Sequence, residues 1–237
     1  MFKKILTIAC ILAVLCGCKK EEAPKVSKVV KKVECFRGGN QTYSYSYSYD
    51  SEGRLNTIKN SNNNNIVTEF KYAPESITIL SKGEGFIIDL DGSGAPKNIV
   101  SSERRMTCFY SSYGYLKQMN VDFYDGIVHD LHTTVVNGNF TEIQDLDGRT
   151  LTLEYTSYDN GYSIDINNIV NIESMFSFLG TLKLEGLYSG KLVKSIVSEE
   201  ASYYFSYSFD AKERVTDMTV ISTASENSLT EHYKFTY

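Results

Sequence analysis

Residues 42–50 read TYSYSYSYD, four tyrosines each separated by a serine. A period of two is the repeat of a β-strand, whose successive side chains point to opposite faces. Tyr43, Tyr45, Tyr47 and Tyr49 therefore share one face, and Ser44, Ser46 and Ser48 the other. A strand with one wholly aromatic face is not stable alone. It needs neighbouring strands to pair with and a layer to cover its rings.

The rest of the chain supplies such neighbours. NIVTEFKY (65–72), SITIL (76–80), GFIIDL (85–90), RTLTLEY (149–155) and SYYFSYSF (202–209) are short β-branched and aromatic runs. Turn signals lie between strand runs: DSEGR at 50–54, NSNNNN at 60–65, DGSG at 91–94, VNGN at 136–139 and DLDGR at 145–149. Asn-Gly and Asp-Gly tolerate the positive φ that closes a tight hairpin. The pattern predicts an antiparallel all-β domain.

That domain contains an internal repeat. YSYSYDSEGRLNTI (45–58) aligns with FSYSFDAKERVTDM (205–218), so that Tyr47 meets Tyr207, Asp50 meets Asp210 and Arg54 meets Arg214. KVECF (32–36) aligns with LVKSI (192–196) in the same register, and MTCFYSSYGYLKQM (106–119) is a weaker copy. No single unit can bury its apolar face, so the copies are expected to form a repeated β-meander that curls into a barrel or an open half-barrel. One stretch departs from the strand period. INNIVNIESMFSFLG (166–180) spaces Ile169, Val170, Ile172, Met175, Phe176 and Leu179 closer to 3.6, which predicts one short helix or plug near residues 168–180.

The first residues set the compartment. Lys3 and Lys4 precede an apolar run, Ile5 to Leu15, too short to span a bilayer and suited to a secretory signal. LCGC, at 15–18, resembles a bacterial lipobox. Residues 1–17 are then a lipoprotein signal peptide, and Cys18 is the acylated N-terminus, carrying palmitate-type chains that anchor it without a transmembrane helix. Residues 18–30, polar and with one proline, read as a flexible tether, and residues 31–237 as a single all-β domain. Lys19-Lys20-Glu21-Glu22 resembles the export signal that sends Bacteroidota lipoproteins to the outer face of the outer membrane. Losing Lys3 and Lys4 moves the formal charge from −5 to −7, and a chain without a basic stripe is not suited to nucleic acid.

Catalytic and metal signatures are weak. DLDGSG (89–94) starts like a calcium loop, but Val100 stands where the bidentate Glu belongs, so a turn is expected. His129 and His132 are three apart and face opposite sides of a strand. Cys35 and Cys108 have no base in sequence to activate them, and in an oxidising envelope they are free to pair or stay reduced. No cofactor and no enzymatic activity is expected. The tyrosine file and its copy, Tyr203, Phe205, Tyr207 and Phe209, have two readings. They line the inner face of a curved sheet, or Tyr43, Tyr45, Tyr47, Tyr49, Tyr203 and Tyr207 contact a ligand such as a sugar ring. The absence of Trp weighs against the second.

YSYDSEGRL also resembles the YxYDxxGRL repeat of Rhs-type and teneurin-type shells, where it marks a β-hairpin. More of the chain, about residues 30–237, is similar to a family of Bacteroidota lipoproteins of unknown function with a porin-like β fold. The lipobox, the YSYDSEGRL unit, MFSFLG followed by KLVKSI, and YYFSYSFDAKERV to YKFTY carry that resemblance. It implies an outer-membrane lipoprotein displayed on the cell surface, with no activity to transfer. The expected function is a binding or structural module for glycan, peptide or an envelope partner. The alternatives are a glycan-degrading or other envelope enzyme, and a membrane-spanning β-barrel, which the alternating HYKFTY terminus resembles.

Overall fold

The alternating runs become strands that each pair with the next in sequence. A computed structural model describes residues 28–237 apart from residues 64, 82–83, 127, 146–147, 165, 168–188 and 225–226. The first eight strands are β1 (Lys32–Arg37), β2 (Asn40–Tyr49), β3 (Leu55–Asn60), β4 (Ile66–Ala73), β5 (Ser76–Ser81), β6 (Glu84–Leu90), β7 (Pro96–Val100) and β8 (Arg104–Tyr110). The second eight are β9 (Leu116–Phe123), β10 (Val128–Val136), β11 (Asn139–Asp145), β12 (Thr150–Asp159), β13 (Lys191–Val197), β14 (Ala201–Phe209), β15 (Val215–Ala224) and β16 (Asn227–Thr236). All pairs are antiparallel, and β1 closes on β16 from Lys32↔Thr236 to Arg37↔Glu231. The meander is a closed barrel, which removes the exposed edges an open half-barrel would leave. The helix or plug expected near 168–180, the signal peptide and Cys18 lie outside the described residues.

With an even number of strands, β1 begins and β16 ends at the same mouth, here called the terminal mouth. The repeat predicted from sequence consists of hairpins at this mouth. In DSEGR the Asp50 N–H donates to the Arg54 carbonyl and the Gly53 N–H to the Asp50 carbonyl. DAKER repeats both bonds between Asp210, Arg214 and Glu213. Each Asp carboxylate also accepts its own Arg Nε at 2.8 Å. Gly53 takes φ +78°, and at the copied position Glu213 is held at φ 57°. The turn at Asp91 is built alike: its carboxylate accepts the N–H groups of Ser93 and Ala95.

The inward face is apolar, and the outward face mixes charged side chains with exposed apolar ones such as Leu80, Ile87, Phe109 and Ile221. Inward are Val33, Cys35, Tyr45, Tyr47, Ile58, Phe70, Ile79, Ile88, Ile99, Met106, Val121, Met218, Val220 and Tyr233, none more than 6% exposed. The alternate residues point away from them. They include the pairs Glu69–Lys71 and Glu154–Lys194 on strand walls, with Arg105, Asp122, Glu142 and Asp217. A membrane-spanning barrel has the reverse arrangement, an apolar outer band around a polar interior.

Candidate functional site

A belt of tyrosines circles the terminal mouth. Odd strands begin there, and several start with a β-bulge: Tyr49 faces Leu55, so Asn56 is extra, and Tyr110 faces Leu116 in the same way. A bulge interrupts the ladder and leaves backbone groups in need of other partners. Tyrosine hydroxyls from the following strand supply donors. Tyr72 donates to the Leu55 carbonyl at 2.7 Å, Tyr110 to Pro96 at 2.7 Å and Tyr155 to Phe140 at 2.7 Å. Tyr207 donates to Val193 at 2.8 Å, Tyr237 to Val215 at 2.8 Å and Tyr49 to Val30 at 2.6 Å. Burial raises the phenols of Tyr49 and Tyr72 to about 12; for Tyr49 the Ser163 hydroxyl opposes the rise, and for Tyr72 the Arg54 charge does.

The file that sequence analysis singled out is thus oriented inward. Tyr45 and Tyr47 are 4% and 6% exposed, and Tyr43 and Tyr49 are half-buried against the same core. Tyr43 packs edge-on to Tyr233. Tyr207 is in the belt, while Tyr203, 36% exposed, sits where β14 leaves the opposite mouth. The Tyr47 hydroxyl is buried with no hydrogen-bond partner among the described residues. Cys35 and Cys108 are buried free thiols, and burial raises Cys108 to about 11.

The described residues that follow β12 pack at this mouth as part of an inserted segment. Tyr162, Ile164 and Ile166 are buried. The Tyr162 hydroxyl accepts the Val215 N–H at 2.9 Å, and its ring lies 6.1 Å from that of Tyr237. The Ser163 hydroxyl accepts the Val30 N–H and bonds Tyr49, while the Ser163 N–H donates to the Lys28 carbonyl. Lys28 to Val30, read from sequence as the end of the tether, are therefore docked on the barrel.

Two strands break the belt. Leu90 in β6 pairs with Pro96, and Val135 in β10 pairs with Phe140, at the level where tyrosines stand elsewhere. β4–β5 runs from Thr68↔Ser81 to Ala73↔Ser76 without a bulge, so β5 offers no displaced carbonyl for a β6 hydroxyl. In β10 the shorter Thr133 donates to the Leu116 carbonyl instead. Each gap coincides with a cleft. One, of about 650 Å³, is lined by Leu55, Tyr72, Ile77, Leu90, Arg54 and Ser163. There Arg54 is stacked 4.4 Å over Tyr72 and paired with Asp50 and Glu52.

The second cleft, of about 500 Å³, is lined by Tyr113, Tyr115, Lys117, Thr133, Val135 and Asn137, among others. Its frame is built from turns. Asn137 and Gly138 both take positive φ, 52° and 76°, as a two-residue hairpin turn requires. A side chain on Gly138 would collide with the Tyr115 hydroxyl, 2.9 Å from the position its Cβ would take. Sequence analysis identified the Asn-Gly turn but not the cleft beside it. The signal was the missing tyrosine in β10, which shows only once the belt is known.

Among the described residues lining the two clefts, Glu52 is the one carboxylate, and it is paired. No group of three metal-ligating side chains occurs among the described residues. At the opposite mouth, the inward Glu231 carboxylate takes Arg37 at 2.7 Å and the Tyr233 hydroxyl at 2.9 Å, a satisfied pair.

The sequence matches no protein-family model and none of the curated proteins. Solved structures do resemble the fold. A porin-like protein from Bacteroides uniformis ATCC 8492 superposes with a TM-score of 0.64 at 16% identity, over 89% of this chain and 98% of that one. A porin-like protein from Bacteroides vulgatus ATCC 8482 gives 0.61 at 12% identity, over 88% and 98%. These likenesses establish a shared porin-like β-barrel architecture.

Proposed function

We propose that this chain is a lipid-anchored outer-membrane lipoprotein whose barrel is a water-soluble binding module displayed on the cell surface. The observation that carries this reading is the charge carried at mid-strand positions of the outer wall. Ion pairs such as Glu154–Lys194, 60% and 62% exposed, stand on the outer face, and the core is apolar. A Lys or Arg facing lipid at mid-depth costs about 2–4 kcal/mol and an Asp or Glu less, so these positions favour water. The porin-like proteins share the architecture, whereas among the described residues the interior here is filled by an apolar core rather than lined as a polar lumen. Ligand contact is then assigned to the mouth, where the belt gaps open. The lipobox at Cys18 and the lysine–glutamate run behind it support the anchor and the outward address.

Conductance and solubility test the module together. Full-length protein reconstituted in a planar bilayer is expected to pass no steady current. A Cys18→Ala variant is expected to remain dispersed without detergent, and radiolabelled lipid is expected to enter wild type alone. Stable single-channel steps, or a Cys18→Ala protein that stays in solution only with detergent, would favour the membrane-spanning barrel instead. Protease added to intact cells should remove the domain, and replacing Lys19, Lys20, Glu21 and Glu22 with Ala should protect it.

A further inference from the structure

We infer that the cleft over β9 and β10 at the terminal mouth is a binding site for an acidic sugar, a pyranose ring bearing a carboxylate; this deepens the binding-module reading and rests on it. Three features of the cleft point to that chemistry.

The first is an unsatisfied aromatic. Tyr113 is 88% exposed at the tip of the β8–β9 turn, the most exposed of the large hydrophobic side chains in the described barrel. Its ring and that of Tyr115 line one cleft together with the apolar Leu116 and Val135. Rings of this kind offer a flat apolar face and a polar edge, which suits a ligand with one C–H face and a rim of hydroxyls.

The second is the placing of polar groups around that face. Ser111, Thr133 and Asn137 line the same cleft, and hydrogen bonds fix two of them in place: the Ser111 hydroxyl accepts the Tyr115 N–H at 3.3 Å, and Thr133 donates to the Leu116 carbonyl. Each hydroxyl oxygen keeps a lone pair for a ligand donor. A few fixed polar groups on an apolar floor are the usual construction of a small-molecule site.

The third is charge. Lys117 lines the cleft and forms no ion pair or hydrogen bond among the described residues, whereas Arg54 in the neighbouring cleft is held by Asp50 and Glu52. No carboxylate is among the described residues of the Lys117 cleft. An uncompensated cation beside an aromatic platform selects an anionic ring over a neutral one.

Titration calorimetry of the full-length protein in detergent, with trigalacturonate and its carboxyl-reduced neutral counterpart, tests the assignment. The acid is expected to bind with a Kd below about 1 mM and the neutral trisaccharide about tenfold or more weakly, as expected for loss of one charge-assisted hydrogen bond. Lys117→Ala should abolish that preference. Tyr113→Ala, at a site too exposed to affect folding, should weaken both ligands. Val135→Tyr, which restores a ring at the belt gap, should block both. Absence of binding by the acid, equal binding of the neutral sugar, or wild-type binding by Tyr113→Ala and Lys117→Ala would each overturn it. A soluble, non-conducting barrel that ignores trigalacturonate loses this assignment alone. A conducting barrel loses the binding-module reading as well.

Discussion

The Tyr49 hydroxyl, near the end of β2, donates to the Val30 carbonyl at 2.6 Å and so ties the file of alternating tyrosines to the point where the chain enters the barrel. Five other tyrosines make the same kind of bond around the terminal mouth. The file is therefore two things at once: Tyr45 and Tyr47 fill the interior, and Tyr49 closes its end.

Tyr47 separates those two roles. Truncation to Ala at a 6% exposed site removes a large aromatic and is expected to cost about 3–5 kcal/mol. Its hydroxyl has no partner among the described residues, so Tyr47→Phe should leave stability unchanged or raise it. Ser46→Ala, on the outer face, should stay within about 0.5 kcal/mol. Urea melts of the three variants decide it. A Tyr47→Ala protein as stable as wild type would mean the ring is not a packing element.

Tyr72→Phe reports on the belt instead. The ring stays and only the donor to Leu55 is lost, which leaves a part-buried carbonyl unpaired at a cost of about 1–3 kcal/mol. Tyr113→Phe, at the exposed turn, serves as the control and should change nothing. Equal midpoints for the two variants would show that the hydroxyl bonds do not stabilise the mouth.

Alkali should unfold the barrel cooperatively. A phenol whose pKa is raised by folding stabilises the native state below its unfolded value, near 10, and that contribution is lost as pH rises through the folded value. Tyr49 and Tyr72 put the end of that window at about 12. Spectrophotometric titration is expected to show Tyr49 and Tyr72 ionising late and in one step, together with loss of the β-sheet dichroism. Belt ionisation near pH 10 with the dichroism intact would contradict their burial.

Cys35 and Cys108, at 0% and 7% exposure, should be silent to a thiol reagent at pH 8 and both react in denaturant. Cys108 is doubly protected, since burial raises its pKa to about 11 and keeps the thiolate scarce. Prompt labelling of the native protein would show that the barrel wall opens.

Glu213 sits at φ 57° where the paired hairpin has Gly53. A left-handed conformation costs a non-glycine residue about 1–2 kcal/mol, so Glu213→Gly should raise the melting midpoint, and a lower midpoint would mean the Glu side chain matters more than its backbone.

How much of this was readable beforehand follows from the range of each interaction. The strands and hairpins were legible because a period of two and an Asp-containing turn are local signals: SYYFSYSF at 202–209 is nearly all of β14, and SITIL at 76–80 is β5 less its last residue. Closure was not, because pairing of Val33 with Phe235 joins residues two hundred positions apart that carry no mark of each other. The repeat misled in one detail. Its alignment sets Tyr49 against Phe209, but the hydroxyl role in β14 falls to Tyr207, one inward position deeper, and alternation alone cannot tell two inward positions apart. The clefts were illegible for a further reason: Leu90 and Val135 are ordinary strand residues until the ring of tyrosines around them is seen.

If Cys18 is acylated as proposed, docking of Lys28 to Val30 also limits the length of the leash. Residues 19–27 then lie between the anchor and Lys28 and span at most about 30 Å. Both clefts open at that same mouth, so a ligand carried on the bilayer surface would meet them at a local concentration fixed by the leash rather than by the surrounding medium. Lengthening residues 19–27 should therefore weaken capture of a membrane-borne ligand while leaving affinity for the same ligand free in solution unchanged.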